Sequence, residues 1–206
     1  MYRTTILASG AGTNARNVLE RVRDGALPLR ITALIANDAD AGALRAARDH
    51  GVRAHAIVWE RARQSRADYD ARLIEAVAAT KPELVLLLGW MHLLAPAFLE
   101  RFPETVNLHP ALLPDDARDD VVIAPDGSTI PALRGAHALR DALRTNVPWV
   151  GATVHRVTAE TDRGEVLARI PLRVGDAASE AELRERVRPI EFAAVEKAIS
   201  RWVRER

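Results

Sequence analysis

TTILASGAGTNARNVLERVRDG, residues 4–25, opens on a short run that is apolar on both faces, turns on two glycines and continues as an amphipathic helix. The alternation recurs in RITALIAN (30–37) before AGALRAARDHG, in RAHAIV (53–58) before DYDARLIEAVAAT, and ends on ELVLLLG (83–89). Strands apolar on both faces belong to a parallel sheet covered by helices on each side. Right-handed crossovers make that sheet doubly wound and Rossmann-like. Gly25 and Gly51 stand where a left-handed helix stop is wanted, Asp40 is placed to cap the second helix and Asp68 to open the third.

The texture changes after Thr105. TVNLHPALLP (105–114) reads as a strand entering a Pro-bounded loop, and Asp126-Gly127 suggests a turn in the polar stretch that follows. GAHALRDALRTN reads as a helix, and WVGATVHRVT and EVLARIPLRV as antiparallel strands. Ser179 and Glu182 form a capping box for a terminal helix that Pro189 kinks or restarts. The expectation is one α/β domain over 1–206: a phosphate-binding half at 1–102 and a catalytic half with antiparallel C-terminal strands at 103–206.

Composition narrows the function. With 206 residues, 48% hydrophobic and 28% charged, the chain can build one genuine core. Its 29 basic and 28 acidic residues leave a net charge of +1, without the basic footprint of a nucleic-acid binder. There is no cysteine, which excludes disulfides, thiol catalysis and Cys-ligated zinc. LVLLLGWMHLLAPAFL is broken by Gly89, His92 and Pro96 before it could span a bilayer, and the N-terminal run is too short for a signal peptide, so a cytoplasmic protein is expected. The histidines offer no H-E-x-x-H or comparable ligand set, so no metal is expected.

Two constellations carry polar groups suited to chemistry. Gly10-Ala11-Gly12-Thr13-Asn14-Ala15 joins a strand to a helix, where backbone N–H groups and the helix dipole attract an anion. A tight turn capped by Asn14, a phosphate site, and a dinucleotide site with Asp38 on the ribose all satisfy it. In the second, Asn107 and His109 share one face of a strand, and Asp162 in Thr161-Asp162-Arg163-Gly164 is a carboxylate able to orient an imidazole that comes near it. Spacing alone does not bring them together.

Gly12-Thr13-Asn14, Gly89-Trp90-Met91, NLHPALLP and Asp162-Arg163-Gly164 occur in the order found in glycinamide ribonucleotide formyltransferases, which the chain resembles over nearly its whole length. The resemblance implies a catalytic triad of Asn107, His109 and Asp162, with Asn107 and a protonated His109 stabilising an oxyanion. It implies that Gly12, Thr13, Asn14 and Glu191 hold the phosphate and ribose of the substrate. Met91, His92, Leu93 and Leu94 would line a pocket for 10-formyltetrahydrofolate, faced by the loop from Val157 to Glu160, with Arg66 near the folate tail or the ribonucleotide. Leu94 also fits a core position, and Arg66 an exposed helix start. His137 and Thr153 are carried over as supporting residues. The implied partners are small molecules, with no nucleic acid or membrane, in a monomer or homodimer.

Two departures bear on substrate choice. His92 stands where the family usually has Arg. The family's short loop after the His-Pro segment is here a longer acidic stretch, 115–134, with five Asp between Asp115 and Asp126, expected to form a solvated hairpin around Asp126-Gly127. The length argues against the larger two-domain relatives. A formyltransferase acting on another amine such as an amino-sugar nucleotide is the near alternative. An NAD(P)-binding oxidoreductase resting on Gly10, Gly12, Ala15 and Asp38 is the distant one, and a non-catalytic folate-binding relative has no use for the triad.

Overall fold

The computed structural model describes residues 1–206. The chain divides into two compact units, Met1–Asn107 and Leu108–Arg206. In the first, strands β1 (Tyr2–Ala8), β2 (Leu29–Ala36), β3 (Ala54–Ala56), β4 (Leu84–Leu87) and β5 (Thr105–His109) run in the order β3-β2-β1-β4-β5. All four pairings are parallel. Helices α1 (Thr13–Arg23), α2 (Gly42–Asp49), α3 (Arg66–Ala78) and α4 (Pro96–Arg101) connect them. Helix α1 packs on α2 and α3 on α4, the pairing expected when helices cover both faces. Ile6, Leu7, Leu34, Ile35 and the whole of β4 are buried, which is why these strands read as apolar without alternation.

The chain moves outward from β1 through β2 to β3, then returns to place β4 on the other side of β1. That reversal opens a crevice beyond the carboxyl ends of β1 and β4, the usual ligand position in open α/β sheets. Helix ends differ from expectation in two places. Asp40 does not cap α2, whose N-cap is Ala41 with no side-chain bond; Asp40 instead gives its N–H to Asp38 Oδ1. Helix α3 is opened by Ser65, whose hydroxyl accepts from Asp68 N, so Asp68 sits in the first turn, where its charge suits the dipole. Gly25 and Gly51 both have the positive φ foreseen for them.

The second unit holds the hairpin β6 (Val121–Ile123) and β7 (Thr129–Pro131), helix α5 (Ala138–Arg144), the antiparallel pair β8 (Trp149–Arg156) and β9 (Val166–Arg173), and helix α6 (Glu180–Arg204). The hairpin turns at Asp126-Gly127 as the sequence suggests, with Gly127 at φ +82. Its inner face, Val122, Ala124 and Ile130, packs on Leu112 and Trp149. Helix α6 lies on β8 and β9, and Leu183 and Val187 join Leu139, Val150 and Val174 in one apolar cluster. The Ser179 cap accepts from Glu182 N as foreseen, but α6 does not restart at Pro189: one helix runs through it. No helix is long and apolar enough to cross a membrane.

Candidate active site

At the carboxyl ends of β1 and β4 the two following loops bond to each other. Ser9 N–H donates to the Gly89 carbonyl at 3.2 Å, and Met91 N–H donates to Ser9 Oγ at 2.9 Å. Gly12 is the N-cap of α1 in the left-handed conformation, so the alternative of Asn14 as the cap does not hold: Asn14 lies inside the first turn beside Thr13. No side chain caps α1 and no acid occupies its first turn, so no side-chain carboxylate of that turn offsets the positive end of the helix dipole. A Cβ at Gly12 would sit 2.4 Å from Ala43 Cα and 2.6 Å from Ala43 N, so packing against α2 demands glycine there independently of any ligand. Asp38 is exposed and its carboxylate closes its own turn on Asp40 N.

Beyond β4 the chain carries the residues matched to a folate pocket. Met91 and Leu93 are 56% and 69% exposed, an open apolar strip, whereas Leu94 is half-buried, between pocket wall and core. His92 sits edge-on to Tyr69, Trp59 and Trp90, and its Nδ1 lies 3.0 Å from the Tyr69 hydroxyl. Burial, followed by the nearby Arg66 and Arg61 cations, pushes the His92 imidazole below its ordinary value. Burial also pushes the Tyr69 phenol up to about 12, so Tyr69 keeps its hydroxyl proton beside His92 Nδ1. Two cations stand here: Arg61 stacks over Trp59, and Arg66 pairs with Asp70 at 2.8 Å, donates to the Leu93 carbonyl and stacks over Trp59 and Tyr69.

In the second unit, His109 ends β5 and is 3% exposed. Its Nε2 donates to the Leu133 carbonyl at 2.6 Å, and its Nδ1 lies 3.5 Å from Asp162 Oδ2. The same carboxylate oxygen accepts from Gly135 N at 2.7 Å, and Asp162 Oδ1 lies 3.4 Å from His155 Nε2. The fold therefore brings His109 and Asp162 together, which spacing could not show. Burial raises the Asp162 carboxyl, but the His155 hydrogen bond, the neighbouring His109 and the Gly135 N–H outweigh it and hold it at about 2. Burial drives His109 below its ordinary value, against the opposing pull of Asp162 and of the Leu133 carbonyl.

Local chain geometry serves this cluster. Asp162 has φ +53, a left-handed conformation unusual for a residue with a Cβ. Two residues on, a Cβ at Gly164 would lie 1.7 Å from the Arg156 carbonyl, so only glycine lets the turn pass against β8. Thr153 is fully buried, donates to the Ala111 carbonyl at 2.7 Å and accepts from Leu113 N at 3.1 Å, tying the Pro-bounded loop to β8. Asn107 is half-buried two residues before His109 on β5.

The remaining matched residues are more dispersed. His137 is exposed at the N-cap of α5 and makes no side-chain cap bond; Val157 is half-buried and Glu160 exposed just past β8; Glu191 is half-buried on α6. His155 is the group that sequence reasoning passed over, considered only as a metal ligand. Its one signal was an imidazole between Val154 and Arg156 on a strand whose other central residues are small or apolar, Gly151, Ala152 and Val154 among them. Four of the five Asp in 115–134 are engaged by side chains: Asp115 by Arg169, Asp116 by Arg118, Asp120 by Arg134 and Arg163, and Asp126 by Trp149 and Arg173.

Residues 2–199 match the family described as Formyl transferase. A phosphoribosylglycinamide formyltransferase of Mycobacterium tuberculosis is 35% identical over 199 residues, covering 96% of this chain and 83% of its own. The Escherichia coli enzyme of the same name is 32% identical, covering 95% and 84%. The crystal structure of glycinamide ribonucleotide transformylase 1 from Symbiobacterium toebii superposes with a TM-score of 0.84 at 34% identity, over 97% of this chain and 86% of that one. With the doubly wound sheet and the antiparallel C-terminal strands in place, the chain belongs to the formyl transferase family of enzymes.

Proposed function

We propose that the protein transfers the formyl group of 10-formyltetrahydrofolate to the amine of 5′-phosphoribosylglycinamide, a step of purine biosynthesis, in the cytoplasm. The observation that carries the reading is the buried His109–Asp162 pair in a chain whose relatives bear that activity in their names. The amine nitrogen attacks the formyl carbon, the C–N bond to the substrate forms, and the bond from that carbon to folate N10 breaks. The amine proton ends on N10. The Asn107 amide donates to the formyl oxygen as charge builds there, a contribution of roughly 3 to 4 kcal/mol for such a donor.

With Nε2 on the Leu133 carbonyl and Nδ1 facing Asp162, His109 aligns the carboxylate, and its cationic form, stabilised by Asp162, would offset the charge on the formyl oxygen. The Asp162 carboxylate, directly or through a water, takes the amine proton as the new bond forms and passes it to N10. The uncapped start of α1, at Gly12, Thr13 and Asn14, suits the substrate phosphate, with Glu191 assigned to the ribose end. The exposed Met91 and Leu93 with Leu94 suit one side of a flat pteridine, with Val157 and Glu160 assigned to the other and Arg66 to the anionic tail. On this reading 1–102 is the phosphate-binding half and 103–206 the catalytic half. Because His92 stands where the family usually has Arg, and burial lowers its imidazole further, a different phosphorylated amine, such as an amino-sugar nucleotide, is the second reading.

The deciding experiment follows loss of formyl folate with glycinamide ribonucleotide as acceptor, in the wild type and in Asn107→Ala, His109→Ala and Asp162→Ala. Falls in kcat of at least ~10²-fold are expected for His109→Ala. Full turnover in that variant would sink the mechanism, and no turnover in the wild type would sink the acceptor.

A further inference from the structure

The 115–134 stretch, where the chain departs from the family loop, ends on two of the three residues that hold the buried pair, Leu133 and Arg134, and the third, Gly135, follows it. The Leu133 carbonyl accepts from His109 Nε2, Arg134 Nε donates to the Asp162 backbone carbonyl at 3.2 Å, and Gly135 N–H donates to the Asp162 carboxylate. Arg134 is tied in the other direction as well. Its Nη1 donates to Asp120 Oδ1 at 2.9 Å and its Nη2 to the Asp119 carbonyl at 2.6 Å. Arg163, the residue after Asp162, donates from Nη2 to the same Asp120 oxygen at 2.5 Å and from Nη1 to the Ala117 carbonyl at 2.6 Å.

One carboxylate on the insertion thus joins two guanidinium groups that flank the proposed catalytic aspartate. The left-handed conformation of Asp162 costs some backbone energy, less for Asp than for most residues, and contacts to its backbone help to hold it. The planar fork of Arg134 does so, reaching the Asp162 carbonyl with one nitrogen and the Asp119–Asp120 corner with the other two. We propose that Asp120, acting through Arg134 and Arg163, is a positioning residue: it fixes the backbone at Asp162 and thereby the placement of its carboxylate against His109.

The inference rests on the proposed role of the His109–Asp162 pair, but its effect can be read on His109 without turnover. The groups that face His109 are Asp162, His155, Arg134 and the Leu133 carbonyl. The Asp120 side chain is 74% exposed, so Asp120→Ala leaves no buried cavity and separates positioning from folding. In that variant the Asp162 carboxylate drifts from His109 while the released Arg134 cation remains nearby. Both changes lower the His109 titration midpoint, read from the imidazole 15N resonances. For turnover, kcat is expected to fall roughly tenfold with both KM values within about twofold.

Arg134→Lys retains the charge but loses the fork, and should lower the midpoint as well. A midpoint unchanged from wild type in either variant overturns the inference, whatever the rate does. Lowered midpoints in both uphold it even in a protein that shows no turnover with glycinamide ribonucleotide, a result that would count only against the acceptor assignment.

Discussion

His155 Nε2 lies 3.4 Å from Asp162 Oδ1, on the opposite side of the carboxylate from His109. Its other ring nitrogen, Nδ1, lies 2.8 Å from the Arg156 carbonyl, so the ring is anchored to the strand that carries it. Asp162 is therefore gripped by two buried imidazoles and a backbone N–H. A carboxylate with fewer partners would rotate toward solvent and lose its alignment on His109.

His155→Leu, which fills the same buried volume without a donor, should cut kcat by about tenfold while leaving KM nearly unchanged, because it disturbs alignment and not binding. Steady-state kinetics with both substrates varied checks this. A change confined to KM would assign His155 to substrate binding instead.

The pH dependence of stability follows from two depressed groups. Asp162 titrates at about 2 against an ordinary 3.8, so its contribution is complete above 3.8 and is lost as the pH falls toward 2. That shift corresponds to about 2 kcal/mol. His109 is also lowered, so the unfolded chain takes up its proton first, and stability begins to fall once the pH drops below 6.5. Urea titrations between pH 7.5 and 3 should show both losses in the wild type. In Asp162→Asn the loss near pH 3 should be reduced, and the His109 midpoint should fall further because the anion that pulls it upward is gone.

Gly12→Ala should destabilise the fold by about 2–3 kcal/mol even without ligand, since the new methyl meets the Ala43 backbone and φ is +81. Thermal unfolding of the free protein measures this. Retention of wild-type stability would mean that α2 can retreat, leaving the glycine as a phosphate requirement alone.

Thr153→Val removes the hydroxyl that serves the Ala111 carbonyl and the Leu113 N–H, both within a buried segment. Stranding those groups should cost about 2–3 kcal/mol and loosen the loop after His109. Hydrogen exchange at the Leu113 amide should accelerate. Unchanged protection there would show that Thr153 does not anchor the loop.

The first unit was legible in the order of its strands and first three helices, because a parallel sheet covered on both faces leaves its mark as apolar runs separated by amphipathic segments; α4, six residues long and opened by Pro96, left no such mark. What was misread there was local. Asp40 and Asp68 were plausible caps, but capping depends on the φ and ψ of one residue, and Ala41 and Ser65 took those positions. In the second unit, the hairpin turn at Asp126-Gly127 was readable from its turn chemistry. Its pairing was not: the acidic stretch is largely neutralised by Arg118, Arg134, Arg163, Arg169 and Arg173, which periodicity does not place beside it.

By itself, then, the sequence determined the strand pattern, the glycine turn after β1 and the presence of Asn107, His109 and Asp162, since periodicity and residue chemistry are local properties. Only the tertiary structure decided that His109 meets Asp162, that His155 backs the carboxylate, and that Asp120 grips both flanking arginines. These contacts join residues 53, 7, 14 and 43 positions apart, counting 109 to 162, 155 to 162, 120 to 134 and 120 to 163. The same folding buries His109 and Asp162, and that burial, with the partners it brings, moves both groups from their ordinary titration ranges.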